Sequence, residues 1–207
     1  MTTETLHPLD LPAVHAGLQR CAQAMEAAAP ELNALDARLG DGDLGTTLSR
    51  CAQHLAPVLA APSATLASLF KACAQACAKA SGSSFGTLLA VAFLEAAKAT
   101  AGTPALDREA LVALLDRIGQ ALSQRGGAKP GDKTMLDSID AIARALQSAA
   151  DTSPAALAAT ARQATDAALH TLRDQPNRIG RARMFAERSV GLDDPGMVAV
   201  QRLVQAL

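Results

Sequence analysis

The apolar share of this chain is carried by Ala and Leu, two of the strongest helix formers, and that constrains the fold more than any other feature. Residues of the AVILMFWYC set make up 49% of the sequence, yet only four are Phe, and there is no Trp or Tyr. β-Branched and aromatic side chains, which fit a pleated sheet, are sparse. The composition predicts an all-α fold. At 207 residues the chain fits one domain and is long enough to bury a substantial core. A single domain over 1–207 is therefore expected.

Apolar residues recur at helical spacing, with Pro and Gly between the periodic stretches. The pattern predicts helices over 11–29, 31–39, 46–60, 64–80, 86–101, 107–125, 133–149, 154–173 and 195–206. Ser153 is a good N-cap followed by Pro154 at the first helical position, and Asp107 opens another helix. Short connections favour antiparallel neighbours in a bundle. Most of the unusual residues fall in the loops 40–45, 81–86, 126–132 and 177–196. Loops of an up-and-down bundle can gather at one end, so a site there would draw on several separate segments.

A net charge of −1 gives no electrostatic reason to expect a nucleic-acid partner. Met1-Thr2-Thr3-Glu4 opens without the basic and apolar regions of a signal peptide, and no apolar run reaches bilayer-spanning length. The expected location is the cytoplasm, away from any membrane. Cys21, Cys51, Cys73 and Cys77 all fall in predicted helices, with Cys73 and Cys77 on one face. No second close pair or histidine partner accompanies them, so buried free thiols are expected rather than a metal site.

The chemistry concentrates in the loops. Asp36, Asp41 and Asp43 lie within eight residues, the last two inside Gly40-Asp41-Gly42-Asp43-Leu44-Gly45. Carboxylates so crowded repel one another unless a cation or proton neutralises them. No Cys or His is interleaved, so the donors are hard oxygens, suited to Mg²⁺ or Ca²⁺. An EF-hand is excluded, because the fifth and twelfth positions counted from Asp41 are Gly45 and Ala52. Taken alone, an Asp-Gly-Asp turn is an acidic surface turn; the remaining loops shift the reading.

Ser81-Gly82-Ser83-Ser84-Phe85-Gly86 precedes an apolar helix, where small residues expose backbone N–H groups to an anion. The Gly-Lys-Ser/Thr ending of a Walker A loop is missing. Gly126 through Met135 is a second flexible loop, stiffened by Pro130, with a helix starting at Asp132 or Lys133. The final loop carries Arg178, Arg181, Arg183 and Arg188, followed by Asp193-Asp194-Pro195-Gly196. Each arginine singly is a solvated loop charge; beside an acidic metal site they can clamp phosphate.

Four passages, in this order, resemble the nucleotide-binding L subunit of dihydroxyacetone kinase (the DhaL type) and its homologous domain in single-chain kinases. They are Leu39 through Thr46 with Asp36 upstream, Ala80 through Thr87, Pro130 through Met135, and Gly180-Arg181-Ala182 through Asp194-Pro195-Gly196. The resemblance implies an up-and-down barrel of about eight antiparallel amphipathic helices, with ADP or ATP bound at one end. It puts Asp36, Asp41 and Asp43 at the family's metal-ligand positions, holding two Mg²⁺ ions that bridge the nucleotide phosphates. Leu44, Gly45 and Thr46 fall in the nucleotide-contacting turn, and Ser81 and Gly82 match the phosphate-contacting pair. Gly127 and Met135 border the adenine in this reading, and Thr134 belongs to the nucleotide-binding set. Arg181, Asp194 and Gly196 complete the nucleotide set. With no Tyr or Trp, the adenine pocket would be mainly aliphatic.

The chain departs from the family where it carries Leu44 and Leu192, because members commonly have His at both places. Leu cannot donate a hydrogen bond to phosphate. Lys79 and Ala80 also replace the paired glycines usual before Ser81. In the family the keto-triose is bound covalently to a histidine of a separate K subunit, so this chain would be inactive alone. No general acid or base is expected on it.

Two phosphate sources stay open: ATP, or an ADP coenzyme rephosphorylated by a phosphotransferase-system protein of the M type. A free-standing L subunit leans toward the second. Three rivals remain beside it. One is the L subunit of an ATP-dependent kinase for another ketose such as erythrulose. Another is a non-catalytic nucleotide-sensing module. The third is a fatty-acid kinase nucleotide domain, against which the Gly-Asp-Lys-Thr-Met passage argues. A plain helical scaffold leaves the clustered aspartates unexplained.

Overall fold

The computed structural model describes residues 9–80 and 84–207. Its helices are α1 (Leu11–Leu39), α2 (Leu44–Ala60), α3 (Leu66–Ala80), α4 (Ser84–Ala99) and α5 (Arg108–Gly126). They continue with α6 (Met135–Gln147), α7 (Pro154–Leu172), the single turn α8 (Ala186–Ser189) and α9 (Pro195–Gln205). A 3₁₀ turn, Arg181–Phe185, leads into α8. Two short strands, β1 (Leu9–Asp10) and β2 (Ala105–Leu106), pair antiparallel with Leu9 opposite Leu106. The described residues are all-α apart from that ribbon.

Each helix from α1 to α7 packs on the next, and α9 closes the ring by packing on α1, α6 and α7. Short connections make successive members antiparallel. The ends of α1, α3, α5 and α7 therefore meet the starts of α2, α4, α6 and α9 at one end of the ring. Ala-rich faces let these helices approach closely, and the interior is filled by Leu, Met and thiols. One cluster joins Leu32, Leu48, Cys51, Leu55, Leu69, Cys73, Cys77 and Met197; another joins Leu122, Ile139, Ile142, Leu146, Leu157 and Val204. Among the described residues no helix is long and apolar enough to cross a membrane.

Helix starts follow local chemistry. The carboxylates of Asp10 and Asp107 accept from the N–H groups of Ala13 and Ala110, and the Ser153 hydroxyl accepts from Ala156. The expected pair 11–29 and 31–39 is instead one helix, α1, with Pro30 inside it. Pro30 withdraws one N–H, and the carbonyl it leaves unmatched belongs to Glu26. Both residues are exposed, so water satisfies that oxygen and the helix continues. Pro57 sits inside α2 in the same way, with Gln53 exposed.

A second difference is the start of α6, expected at Asp132 or Lys133 and found at Met135. Lys133 adopts φ 61°, which no helix interior allows, and Thr134 takes the N-cap. Thr134 and Asp137 form a capping box, each side chain accepting from the other's end of the turn. The loop 177–196 also holds more local structure than its charges suggested, because it contains the 3₁₀ turn and α8.

The cysteines are free; Cys51, Cys73 and Cys77 are buried and Cys21 is half-buried. Burial pushes the Cys73 thiol up to about 12, and that of Cys21 to about 11 against the opposing pull of Arg20. A thiol reagent at pH 8 is expected to leave Cys51, Cys73 and Cys77 unmodified in the folded protein and to reach all of them in denaturant. Rapid native-state labelling of Cys73 would show that the α2–α3 core opens far more readily than its packing indicates.

Candidate functional site

The acidic cluster is made by the α1–α2 hairpin. Gly45 lies against α1 so closely that a Cβ there would sit 2.0 Å from the Ala29 carbonyl oxygen. Only glycine permits that approach. One turn further on, Asn33 accepts from the Thr46 N–H and donates its amide to the Thr46 hydroxyl, both at 3.0 Å. Asp36 then does what Asp43 does not. The Asp43 side chain makes no capping bond, and Asp36 Oδ2 accepts from the N–H groups of Asp43 (2.9 Å) and Leu44 (3.2 Å). A carboxylate from the end of one helix thus caps the start of the next, where the dipole favours negative charge. Gly40 leaves room for it, since a Cβ there would fall 2.5 Å from Asp36 Oδ1.

As a result, one carboxylate oxygen from each of Asp36, Asp41 and Asp43 lies within 4.8 Å of the others. Desolvation and then the charges of Asp41 and Asp36 push the Asp43 carboxyl above its ordinary range, with Arg181 pulling the other way. Arg181 forms an ion pair with Asp41. The donor set is entirely hard oxygen and strongly anionic, with no nitrogen or sulfur among it. It therefore fits a cation of the Mg²⁺ or Ca²⁺ class.

The cluster opens into a cavity of about 770 Å³ at the loop end of the ring. That is a volume typical of small-molecule and cofactor pockets. Its acidic side holds the three aspartates, Leu44 and Arg181; its other side is Leu88, Leu122, Ala128, Met135, Leu136 and Ile179. In the order of packing, α5 stands across the ring from α1, so the cavity runs from carboxylates to aliphatic wall.

Two sets of hydrogen bonds hold the wall opposite α1. Asp137 accepts from Gly131 N–H at 2.5 Å and from Thr134 N–H at 2.7 Å, fixing the turn that presents Thr134 and Met135. Lys133 is 1% exposed, and its ammonium donates to the carbonyls of Arg173 (2.8 Å), Gln175 (2.7 Å) and Ser189 (2.8 Å). Asn177 donates its amide to Lys133 O and Asp194 Oδ2, both at 2.8 Å. Asp194 caps α9 by accepting from Met197 N–H at 2.9 Å. Burial pushes its carboxyl up to about 6, against the hydrogen bonds from Met197, Asn177 and Gly196 and the charge of Lys133.

The structure brings together Asp36, Asp41, Asp43, Leu44, Thr134, Met135, Arg181, Asp194 and Gly196 on the cavity wall. Gly45 and Thr46 do not line it; they join α2 to α1. Gly127 does not line it either, but is the left-handed C-cap of α5 at φ 76° between the lining residues Gly126 and Ala128. Ser81 and Gly82 lie outside the described residues. Leu44 is 7% exposed and belongs to the core as well as the cavity wall, whereas Leu192 is half-buried off the wall.

Sequence reasoning passed over Lys133, Asn177 and Asp137. Lys133 stands in a Gly- and Pro-rich loop, where a lysine ordinarily reads as solvated charge. The capping box Thr134-x-x-Asp137 was the one local signal available.

Fold and site together define an all-α ring protein with a cluster of three carboxylates at the mouth of a loop-walled cavity. The DAK2 domain matches residues 38–207, and the chain belongs to that family, in its DhaL form. It is 30% identical over 194 residues to the PEP-dependent dihydroxyacetone kinase, ADP-binding subunit DhaL, of Escherichia coli, covering 92% of each chain. It is 36% identical over 181 residues to L-erythrulose 1-kinase of Mycolicibacterium smegmatis, covering 86% of this chain and 32% of that one. Human triokinase/FMN cyclase is 32% identical over 200 residues, 92% of this chain and 33% of that one. The chain thus spans about a third of the length of the last two. The structure of the dihydroxyacetone kinase of C. freundii superposes with a TM-score of 0.74 at 24% identity, covering all of this chain and 36% of that one. That likeness concerns the fold.

Because the cluster depends on the α1–α2 approach, Gly45→Ala is expected to be severe. Overpacking against backbone costs about 1–3 kcal/mol or more, and here neither helix can give way alone. Chemical denaturation measures the loss; a variant as stable as the wild type would mean the two helices part freely.

Proposed function

We propose that this chain is the nucleotide-binding subunit of a ketose kinase, holding ADP or ATP with two Mg²⁺ ions and acting with a separate K subunit. The observation that carries the reading is the cluster of three carboxylates, within 4.8 Å of one another, at the mouth of a cavity whose far side is aliphatic. A nucleotide has that polarity: an anionic end needing cations and a flat base needing an apolar slot. Asp36, Asp41 and Asp43 would hold the metal, which when bound would neutralise phosphate charge.

The chain's own residues do the rest. Arg181, exposed on the same rim, exchanges its partner Asp41 for a phosphate oxygen. Met135, Leu136, Leu122 and Ile179 enclose the base and keep water from it. Asp36 and Asp43 stay oriented by the α2 N-terminus. None of these groups is placed to take a proton from a substrate hydroxyl, so that base belongs to the K subunit, which holds the ketose covalently through a histidine. Phosphoryl transfer asks mainly for alignment and charge neutralisation, and this wall supplies both.

Two phosphate sources are consistent with the site. The near full-length match to the E. coli ADP-binding subunit favours ADP as a coenzyme, recharged in the cytoplasm by a phosphotransferase-system protein of the M type. The higher identity to L-erythrulose 1-kinase favours the second reading, ATP as donor to another ketose. Protein purified with Mg²⁺ is expected to keep ADP through gel filtration and to release it with EDTA. Ready loss of ADP would turn the choice toward exchangeable ATP. Asp41→Asn should weaken Mg²⁺-dependent ADP binding by about 10–100-fold, the order by which metal sites lose affinity when a supporting group is removed, while circular dichroism stays unchanged. Undiminished ADP affinity in that variant would remove the metal assignment.

A further inference from the structure

We propose that Lys133 is a positioning residue of this site: its buried ammonium holds the 173–194 segment, and with it Arg181, in register with the wall at Thr134 and Met135. The idea rests on the nucleotide-binding reading above, and extends it to a residue that touches neither nucleotide nor metal. The cation is enclosed on one side by the carbonyls of Arg173 and Gln175, just beyond the end of α7, and on the other by that of Ser189, the last residue of α8. All three ammonium protons are committed. Both ends of the segment that carries Arg181 are therefore tied to one atom.

The same residue grips through its backbone. Its carbonyl accepts from the Asn177 amide, whose second proton goes to Asp194 Oδ2, and the Asn177 N–H donates to the Ser189 hydroxyl at 2.8 Å. Asp132 O accepts from Arg178 N–H at 3.2 Å, and Arg173 O accepts from Gly191 N–H at 2.9 Å as well as from Lys133. Lys133 is the sole non-glycine among the described residues with positive φ, and that backbone turn sends its side chain inward while Thr134 and Met135 face the cavity. Burial pulls the Lys133 ammonium below its ordinary range, against the charges of Asp194, Asp193 and Asp174.

A lysine suits this cage where arginine does not. Three converging carbonyls match a compact tripod of donors, not a planar fork. The acidic cluster, by contrast, is built by α1 and α2 and meets the segment through the Arg181–Asp41 pair. Loss of Lys133 should therefore release the arginine segment and leave the carboxylates in place.

The test uses the full chain with Lys133→Met and Lys133→Gly, the glycine being compatible with φ 61°. In both, hydrogen exchange over 173–194 is expected to rise at least tenfold, and trypsin to cut after Arg178, Arg181, Arg183 or Arg188 where the wild type resists. ADP affinity with Mg²⁺ should fall at least tenfold, while Mn²⁺ binding without nucleotide stays within twofold of wild type. Added n-butylamine should recover part of the ADP affinity of Lys133→Gly, which a merely destabilised fold would not do. Unchanged exchange in the segment, or wild-type ADP affinity in either variant, overturns the proposal. Unfolding of both variants, or loss of Mn²⁺ binding with the rest, also overturns it, by making the lysine a general fold determinant. If wild-type protein binds no ADP, the functional reading fails, and the exchange and proteolysis results still decide whether Lys133 holds the segment.

Discussion

Everything at the loop end of this protein depends on how closely α1 and α2 approach. Gly45 on the Ala29 carbonyl brings the two backbones into contact, and that contact delivers Asp36 to the first N–H groups of α2. The carboxylate satisfies donors that a helix N-terminus would otherwise leave to water. It also becomes the fixed member of a cluster whose other members, Asp41 and Asp43, are carried by the turn itself. Repulsion among them opposes folding unless a cation or a proton neutralises them. The hairpin accepts that cost because its two helices are also joined through Asn33 and Thr46 and by a shared core.

The opposite wall is assembled by a different principle. Ala-rich helices make a slim ring, and the cavity exists because the residues between helices, rather than bulky side chains, cover its end. Such loops must satisfy their own polar groups without a helical ladder. Asp137 does this for the turn at 131–134, and Lys133 with Asn177 does it for 173–194. Burying an ammonium is unfavourable unless every proton finds an acceptor. Here each one does, in the carbonyls of Arg173, Gln175 and Ser189, two of which also accept from the N–H groups of Gly191 and Leu192. The reward is geometric definition of a wall whose turns are too short to define it alone.

How much of this could be read in advance follows from the same contrast. Helix type, and the place of most helices, were legible because Ala, Leu and their spacing report on local backbone preference. Pro30 misled because its effect depends on whether the freed Glu26 carbonyl faces water, a tertiary fact. The aspartates were legible as a group because crowding of like charge in a short turn is visible in one dimension. Gly45 and Thr46 sit in the same run of sequence, yet face α1 instead of the cavity, and no spacing rule separates those directions. Lys133 was hidden most completely, because its three partners lie 40 to 56 residues away. A one-dimensional reading assigns such a lysine to solvent.

Leu44 shows what the two walls imply for the chemistry. Where the family resemblance leads one to expect an imidazole, this chain places an aliphatic side chain that is nearly buried and packed into the core. It can exclude water from the cation cluster, and in a drier site each remaining charge acts more strongly. It cannot donate to phosphate. On the proposed function, Arg181 is a cationic donor beside the aspartates, and its position is set by the segment that Lys133 ties down. A substitution at the α2 start thus shifts the burden of charge stabilisation from the α1–α2 hairpin to the opposite wall. The precision of that wall then matters more here than in a relative with histidine at the same place.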